Sequence, residues 1–215
     1  MEAMQTATRR FQLLAGLTGV VGPALLVGSF AMNPAPPPGL APGALAAWAR
    51  AHEDRILLGG WTQGMGSLLI VAFALCLLEL RPGVSPLAER LTRLAGSVIL
   101  MVSLTEITFY IAATQAAANA DATLGATSVG LIKAVQHVFL IAPALLLPLG
   151  VVLLRSRALP LGFAYSGLAL GATLQVLGVV GLFSGLQPVV DVILIVQALW
   201  FVLAGLALAA RSATR

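Results

Sequence analysis

The chain has 215 residues, of which 59% are hydrophobic and only 9% are charged, and its formal net charge is +4. A soluble domain carries about 25% charged residues, so this composition excludes an ordinary water-soluble protein. The arginines are scattered along the sequence instead of forming one basic surface, so we expect no nucleic-acid partner. A single cysteine, Cys76, excludes an internal disulfide and a multi-cysteine metal site.

Apolar residues form six blocks of about 20 residues, the length that a helix needs to cross a ~30 Å hydrocarbon core. The predicted spans are Phe11–Met32, Ile56–Leu78, Leu94–Ala116, Ile132–Leu154, Leu161–Phe183 and Val189–Ala209. They use nearly the whole chain. We therefore predict one all-α integral membrane domain, residues 1–215, folded as a polytopic six-transmembrane-helix bundle.

The loop between the first two spans has its own pattern. Its Pro-rich part, Asn33–Pro42, cannot remain helical, because proline lacks an amide donor and restricts the residue before it. The following Gly43–Arg55 predicts a short amphipathic helix lying on the membrane, with Leu45 and Trp48 one turn apart.

Orientation follows from the distribution of Lys and Arg, which are enriched on the cytoplasmic side of membrane proteins. Nine of the 12 lie on the side of the two termini and three on the opposite side, so both termini are predicted to be cytoplasmic. The three on the opposite side are Arg50, Arg55 and Lys133. Only one of the 12 is lysine, and Ala, Gly and Pro are abundant, which indicates a GC-rich bacterial genome and hence a bacterial cytoplasmic (inner) membrane.

On this topology the polar side chains of the spans concentrate in the outer half of the bundle, whereas the cytoplasmic half is aliphatic. Polar groups facing lipid are costly, so we expect these side chains to point inward and form an outward-facing polar pocket. The predicted pocket residues are Glu106, Tyr110, His137, Gln136, Gln63, Gln175, Gln197 and Lys133.

Glu106 is the main candidate, because an ionisable group at the bilayer centre is costly enough to indicate function. A structural ion pair or a neutral carboxylic acid are the alternatives. If the third and fourth spans are antiparallel neighbours, His137 reaches the level of Tyr110. That geometry predicts a Glu106–Tyr110–His137 cluster with Gln136 or Lys133 at its mouth. The glutamines could instead act only as hydrogen-bonding links between helices.

Small residues four apart let membrane helices approach closely. The chain has such pairs at Gly60 and Gly64, at Gly167 and Gly171, and at Gly181 and Gly185. The expected partners are membrane lipids, a small lipophilic ligand, and a second copy of the chain through these glycine-rich faces.

Several kinds of chemistry have no matching motif. There is no GxxxxGK[ST] loop, no HExxH and no Ser/His/Asp arrangement. We predict no cofactor and no metal, and assign no catalytic residue. A metal site from His52, Glu53, Asp54 and His137 would require the first external loop to fold over the pocket.

Three segments carry a family resemblance: GVVGPALLVGSF in the first span, AHEDRILLGG entering the second, and LGVVLLRSRALPLGFAYSGLALG across the fourth loop. With them the chain resembles the small bacterial membrane proteins grouped as DUF4386-like, with DUF998-like proteins as neighbours. The resemblance implies a six-span fold and supplies no activity.

Three functions remain open. The first is binding or transport of a small, partly lipophilic molecule in the outward-facing pocket. The second is a structural or accessory subunit without a ligand. The third is an intramembrane enzyme with Glu106 and His137 as acid and base. A non-enzymatic role is favoured.

Overall fold

The structure is a computed structural model that describes residues 2–33, 42–119, 145–181 and 187–213, with isolated positions between 121 and 135. Within these ranges the main elements are helices. In chain order they are α1 (Glu2–Met32), α2 (Pro42–Glu79), α3 (Pro86–Ala118), α4 (Leu146–Ser156), α5 (Leu161–Gly181) and α6 (Gln187–Ala213).

Five of the described helices, α1, α2, α3, α5 and α6, are long and apolar enough to cross a membrane. Their outward faces are apolar as well: Leu14 is 63% exposed, Met101 68%, Val176 63% and Ile195 59%. Large apolar side chains exposed on several helices suit a lipid environment and not water. The chain is therefore a polytopic helical membrane protein.

The fourth predicted span, Ile132–Leu154, falls largely outside the described residues. Its C-terminal part appears as α4, an apolar helix of 11 residues. The crossing of the membrane by this segment, and with it the count of six spans, stays a prediction.

The second helix differs from the prediction. Gly43–Arg55 is helical, but it continues without a break into the span, so that α2 is one helix of 38 residues. Between Ala44 and Leu58 the sequence has neither proline nor glycine, so nothing ends the helix there. At 1.5 Å per residue α2 is about 57 Å long, well beyond a ~30 Å hydrocarbon core.

The first turns of α2 are attached to the ends of its neighbours by two arginines. Arg50 donates from Nη1 to the carbonyl of Ala118 at 2.7 Å, and Arg55 donates from Nη2 to the carbonyl of Ala31 at 2.7 Å. These carbonyls belong to the last turns of α3 and α1, where backbone oxygens lack helical partners and the helix dipole attracts a cation. Two of the three predicted external cations thus bind helix ends.

The helices form a closed ring in chain order. Each of α1 to α5 packs against the next helix, and α1 and α6 pack together to close the ring. We call the end of the bundle where α1 begins and α6 ends the terminal end. The end where α1 stops and α2 starts is the distal end.

The apolar core fills the terminal half of the ring. Its fully buried side chains include Leu146, Leu149 and Leu153 of α4, Phe73 of α2 and Phe201 of α6. Phe73 and Phe201 meet edge to face with ring centroids 6.2 Å apart. This is the side on which the sequence predicts an aliphatic half.

Glycines set the separation between α1 and its two neighbours. A Cβ on Gly22 would lie 2.9 Å from the backbone nitrogen of Ile70 in α2. A Cβ on Gly16 would lie 2.7 Å from the carbonyl oxygen of Gly205 in α6. Both distances are too short for a real Cβ against backbone, so α1 can pack this closely only with glycine at these positions.

The predicted glycine pairs pack within the chain where they are described. Gly60 and Gly64 face Ile107 of α3, and Gly171 faces the backbone of Leu147 in the first turn of α4. Gly185 lies outside the described residues. A homo-oligomer through these faces stays a prediction.

Gly22→Ala should destabilise the protein by about 1 to 3 kcal/mol, because the added methyl forces α1 and α2 apart. Gly28→Ala is the matched control in the same helix, since nothing lies within 4 Å of a Cβ there. Thermal unfolding in detergent, followed by tryptophan fluorescence, measures both. Equal effects of the two substitutions would show that the close α1–α2 contact is absent.

Candidate functional site

Two interhelical hydrogen bonds connect α2 and α3 inside the distal half. Gln63 donates from Nε2 to Oε2 of Glu106 at 3.0 Å, and the hydroxyls of Ser67 and Ser103 lie 2.8 Å apart. On each helix the two residues are one turn apart, so both bonds lie on the same face. We call these four residues the polar seam.

Small residues allow the seam to form. Gly60 and Gly64 lie on the same face of α2 as Gln63, and a Cβ on Gly60 would be 2.9 Å from the Ile107 side chain. Because α3 comes this close, the short serine hydroxyls and the Gln63 amide reach their partners directly. The local sequence GGWTQGMGS thus fixes both the approach of the helices and the position of the polar groups.

The residues of the polar seam differ in their exposure to solvent. Gln63 is only 7% exposed and Ser103 1%, whereas Glu106 is half-buried. The Gln63 end of the hydrogen bond is therefore fixed in the helix contact, whereas the Glu106 side chain keeps partial exposure. Glu106 lies near the middle of the predicted span, where water is scarce and a hydrogen bond to a carboxylate is stronger than in solution.

Above the seam, towards the distal end, a second group of polar atoms surrounds Asn33. The hydroxyl of Tyr110 donates to the backbone carbonyl of Asn33 at 3.5 Å. The side-chain amide of Asn33 packs onto Gly59, where a Cβ would overlap it. Its Oδ1 is buried and has no hydrogen-bond partner among the described residues.

A buried acceptor without a donor costs about 1 to 3 kcal/mol, and such groups in native proteins usually have a reason. Asn33, Gly59, Glu106 and Tyr110 lie on the ends or faces of α1, α2 and α3 that meet at the distal side. The arrangement offers acceptors to a donor group placed between these helices.

Sequence reasoning missed Asn33, Ser67 and the role of Gly59. Asn33 opens the Pro-rich segment, so the pattern assigned it to a loop. The only available signal for Ser67 and Ser103 was helical spacing: each is one turn from a predicted pocket residue, Gln63 or Glu106.

Two other predicted pocket residues lie on helices that do not form the polar seam. Gln175 lies on α5 and Gln197 on α6, helices that pack against each other and against α4 and α1 respectively. Both side chains are half-buried. Lys133, Gln136 and His137 lie outside the described residues, so the Glu106–Tyr110–His137 cluster stays a prediction.

His52, in the N-terminal part of α2, interacts with Trp48 of the same helix. Its Nδ1 lies 2.8 Å from the Trp48 carbonyl, and its ring stacks on the Trp48 indole with centroids 4.8 Å apart. In the part of the chain that the structure describes, no three His, Cys, Asp or Glu side chains are close enough to hold a metal ion.

Comparison with known proteins gives a family and no further relatives. No curated protein and no solved structure matches the chain. The model of the family described as "Domain of unknown function (DUF4386)" matches residues 12–209, which confirms the resemblance seen in the sequence. Since the match covers nearly the whole chain, this multi-pass membrane protein belongs to the DUF4386 family.

Proposed function

We propose that this protein binds a small, partly lipophilic molecule in the distal half of the bundle, with Glu106 as the main polar contact. The observation that carries the proposal is the 3.0 Å hydrogen bond from buried Gln63 to half-buried Glu106. Gln63 holds the carboxyl group in one orientation, and the Glu106 side chain is only half-buried, so it remains partly accessible.

The polar atoms at this site favour a ligand that donates hydrogen bonds. Glu106 accepts from Gln63, and Oδ1 of Asn33 is a buried acceptor with no donor among the described residues. An amine, amide or hydroxyl on the ligand would donate to the Oδ1 atom of Asn33. An apolar remainder of the ligand would suit the surrounding spans, because binding sites in membranes are lined mainly by apolar side chains.

The proposal includes the orientation and the number of spans. Both termini would be cytoplasmic in a bacterial inner membrane, so the distal end would face outward. With a sixth crossing through residues 132–154, Lys133, Gln136 and His137 would approach the same end. Residues Gln175 and Gln197 would then border the site from α5 and α6.

A structural or accessory role is the second candidate, and one observation favours it. Both bonds of the polar seam run between side chains of two neighbouring helices. Polar side chains in membrane proteins often connect helices in this way, at about 0.6 kcal/mol per interaction, with no ligand involved. An enzymatic role with Glu106 and His137 as acid and base remains the third candidate, and it depends on His137.

Glu106→Gln should separate the first two functions. The substitution keeps the size and a hydrogen-bonding group but removes the ability to ionise. If Glu106 contacts a ligand, the variant should keep its unfolding temperature and lose the small molecules that co-purify with the wild-type protein. Mass spectrometry of organic extracts from the purified protein measures that loss.

Two further variants complete this experiment. Thr105→Val is the control, because Thr105 is exposed on α3 and its hydroxyl donates to the Met101 carbonyl of its own helix. Glu106→Leu removes the partner of Gln63 and should lower the unfolding temperature. Wild-type behaviour of Glu106→Gln in both assays, with destabilisation by Glu106→Leu alone, would leave helix pairing as the role of Glu106.

Orientation is tested by cysteine labelling in a Cys76→Ser background. Thr123→Cys, on the proposed outer side, should react with an impermeant thiol reagent in intact cells. Pro82→Cys, in the turn between α2 and α3, should react only after the cells are permeabilised. The reverse pattern would place the termini outside and the distal site towards the cytoplasm.

A further inference from the structure

The terminal end of the bundle contains a basic cavity that is separate from the polar seam. It has a volume of about 170 Å³ and lies where α1, the end of α2, the turn after α4 and the last turns of α6 meet. Its polar lining comes from Arg81, Arg157, Arg211, Thr8 and Gln12. Among the described residues that line it, none is acidic.

Arg157 is held in an unusual backbone conformation beside this cavity. It has φ of 54°, in the left-handed region that favours glycine. From there its N–H donates to the Leu153 carbonyl at 3.1 Å and closes α4. Glycine is the usual residue at this position of a helix end. An arginine in a strained backbone position, with its side chain on a cavity, points to a role for the guanidinium.

Arg211, on α6, is held at the cavity by a hydrogen bond. Its Nη1 donates to the carbonyl of Ala158 at 2.7 Å, in the residue directly after Arg157. This bond orients the guanidinium of Arg211 at the cavity and connects α6 to the turn that carries Arg157. Two arginines, one from the turn after α4 and one from α6, therefore line the same cavity before any ligand binds.

We infer that this cavity binds a phosphate group. Arginine presents a planar fork of donors that matches phosphate oxygens, and the side-chain amide of Gln12 adds a further donor. A phosphate has five heavy atoms, and at roughly 30 Å³ for each water-sized group the cavity has room for it. Like charges held together at a membrane surface are stabilised by an anion.

The phosphate could belong to an anionic lipid headgroup or be free in solution. Both have the same recognition chemistry, and the location of the cavity at the end of the spans permits either. The inference does not depend on the proposed function, because the cavity lies at the terminal end and none of the residues that line it belongs to the polar seam.

The test uses the full chain, delipidated in a neutral detergent, with thermal unfolding as the readout. One arm titrates inorganic phosphate against chloride at equal ionic strength. The other compares dioleoylphosphatidylglycerol with dioleoylphosphatidylcholine. We expect a saturable rise in unfolding temperature with phosphate, with phosphatidylglycerol, or with both. A rise with phosphatidylglycerol alone assigns the site to a lipid headgroup, and a rise with phosphate alone assigns it to a free anion.

Two variants make the result specific. Arg157→Gly relieves the strained backbone, so it should fold at least as well as wild type while binding the active probe about tenfold more weakly. Arg90→Gln is the control. Arg90 lies on α3 at the terminal end of the bundle and is exposed, but it does not line the cavity. The inference is wrong if neither probe stabilises the wild type, if Arg157→Gly binds as well as wild type, or if Arg90→Gln loses as much binding.

Discussion

A polar group inside a bilayer must find its hydrogen-bond partner within the protein, because the surrounding lipid offers none. In this chain that requirement concerns Glu106 most directly, and Gln63 meets it across the α2–α3 contact at 3.0 Å. The position of α3 against α2 depends on this bond and on the Ser67–Ser103 pair one turn below. The polar seam thus fixes the contact of α2 with α3, while glycines set the contact of α2 with α1.

Close packing and polar pairing depend on each other. Gly60 allows α3 to come near enough to α2 for the polar seam to form. In the same way Gly22 allows α1 to pack closely on α2, and Gly16 allows it to pack closely on α6. In lipid, helices gain little from burying apolar surface against each other, so van der Waals contact between small residues and interhelical hydrogen bonds hold the bundle together. The terminal half uses apolar packing around Phe73 and Phe201, and the distal half uses the seam.

Much of the architecture could be predicted from the sequence, and the reasons are specific. Long apolar blocks reveal spans directly, and α1, α3 and α5 begin or end near prolines or glycines that the pattern shows. The continuity of α2 was not predicted. Polar residues such as Arg50 and Glu53 are typical of a helix that lies on the membrane surface, so the pattern favoured a separate short helix before the span. Among the site residues, Glu106 and Gln63 were each predicted from the sequence as pocket residues, but not as partners. Their direct bond could not be predicted, because it depends on helix rotation, which apolar periodicity leaves undetermined when every face is apolar.

The central claim is that Gln63 and Glu106 interact directly in the folded protein. A double-mutant cycle with Gln63→Leu and Glu106→Leu tests it most directly, with the free energy of unfolding in detergent as the measured quantity. The account predicts that the double variant is less destabilised than the sum of the two single variants. The expected coupling is about 0.6 to 1.7 kcal/mol, as for hydrogen bonds between membrane helices. Additive effects of the two substitutions would contradict the account, because they would show that the two side chains do not share a bond.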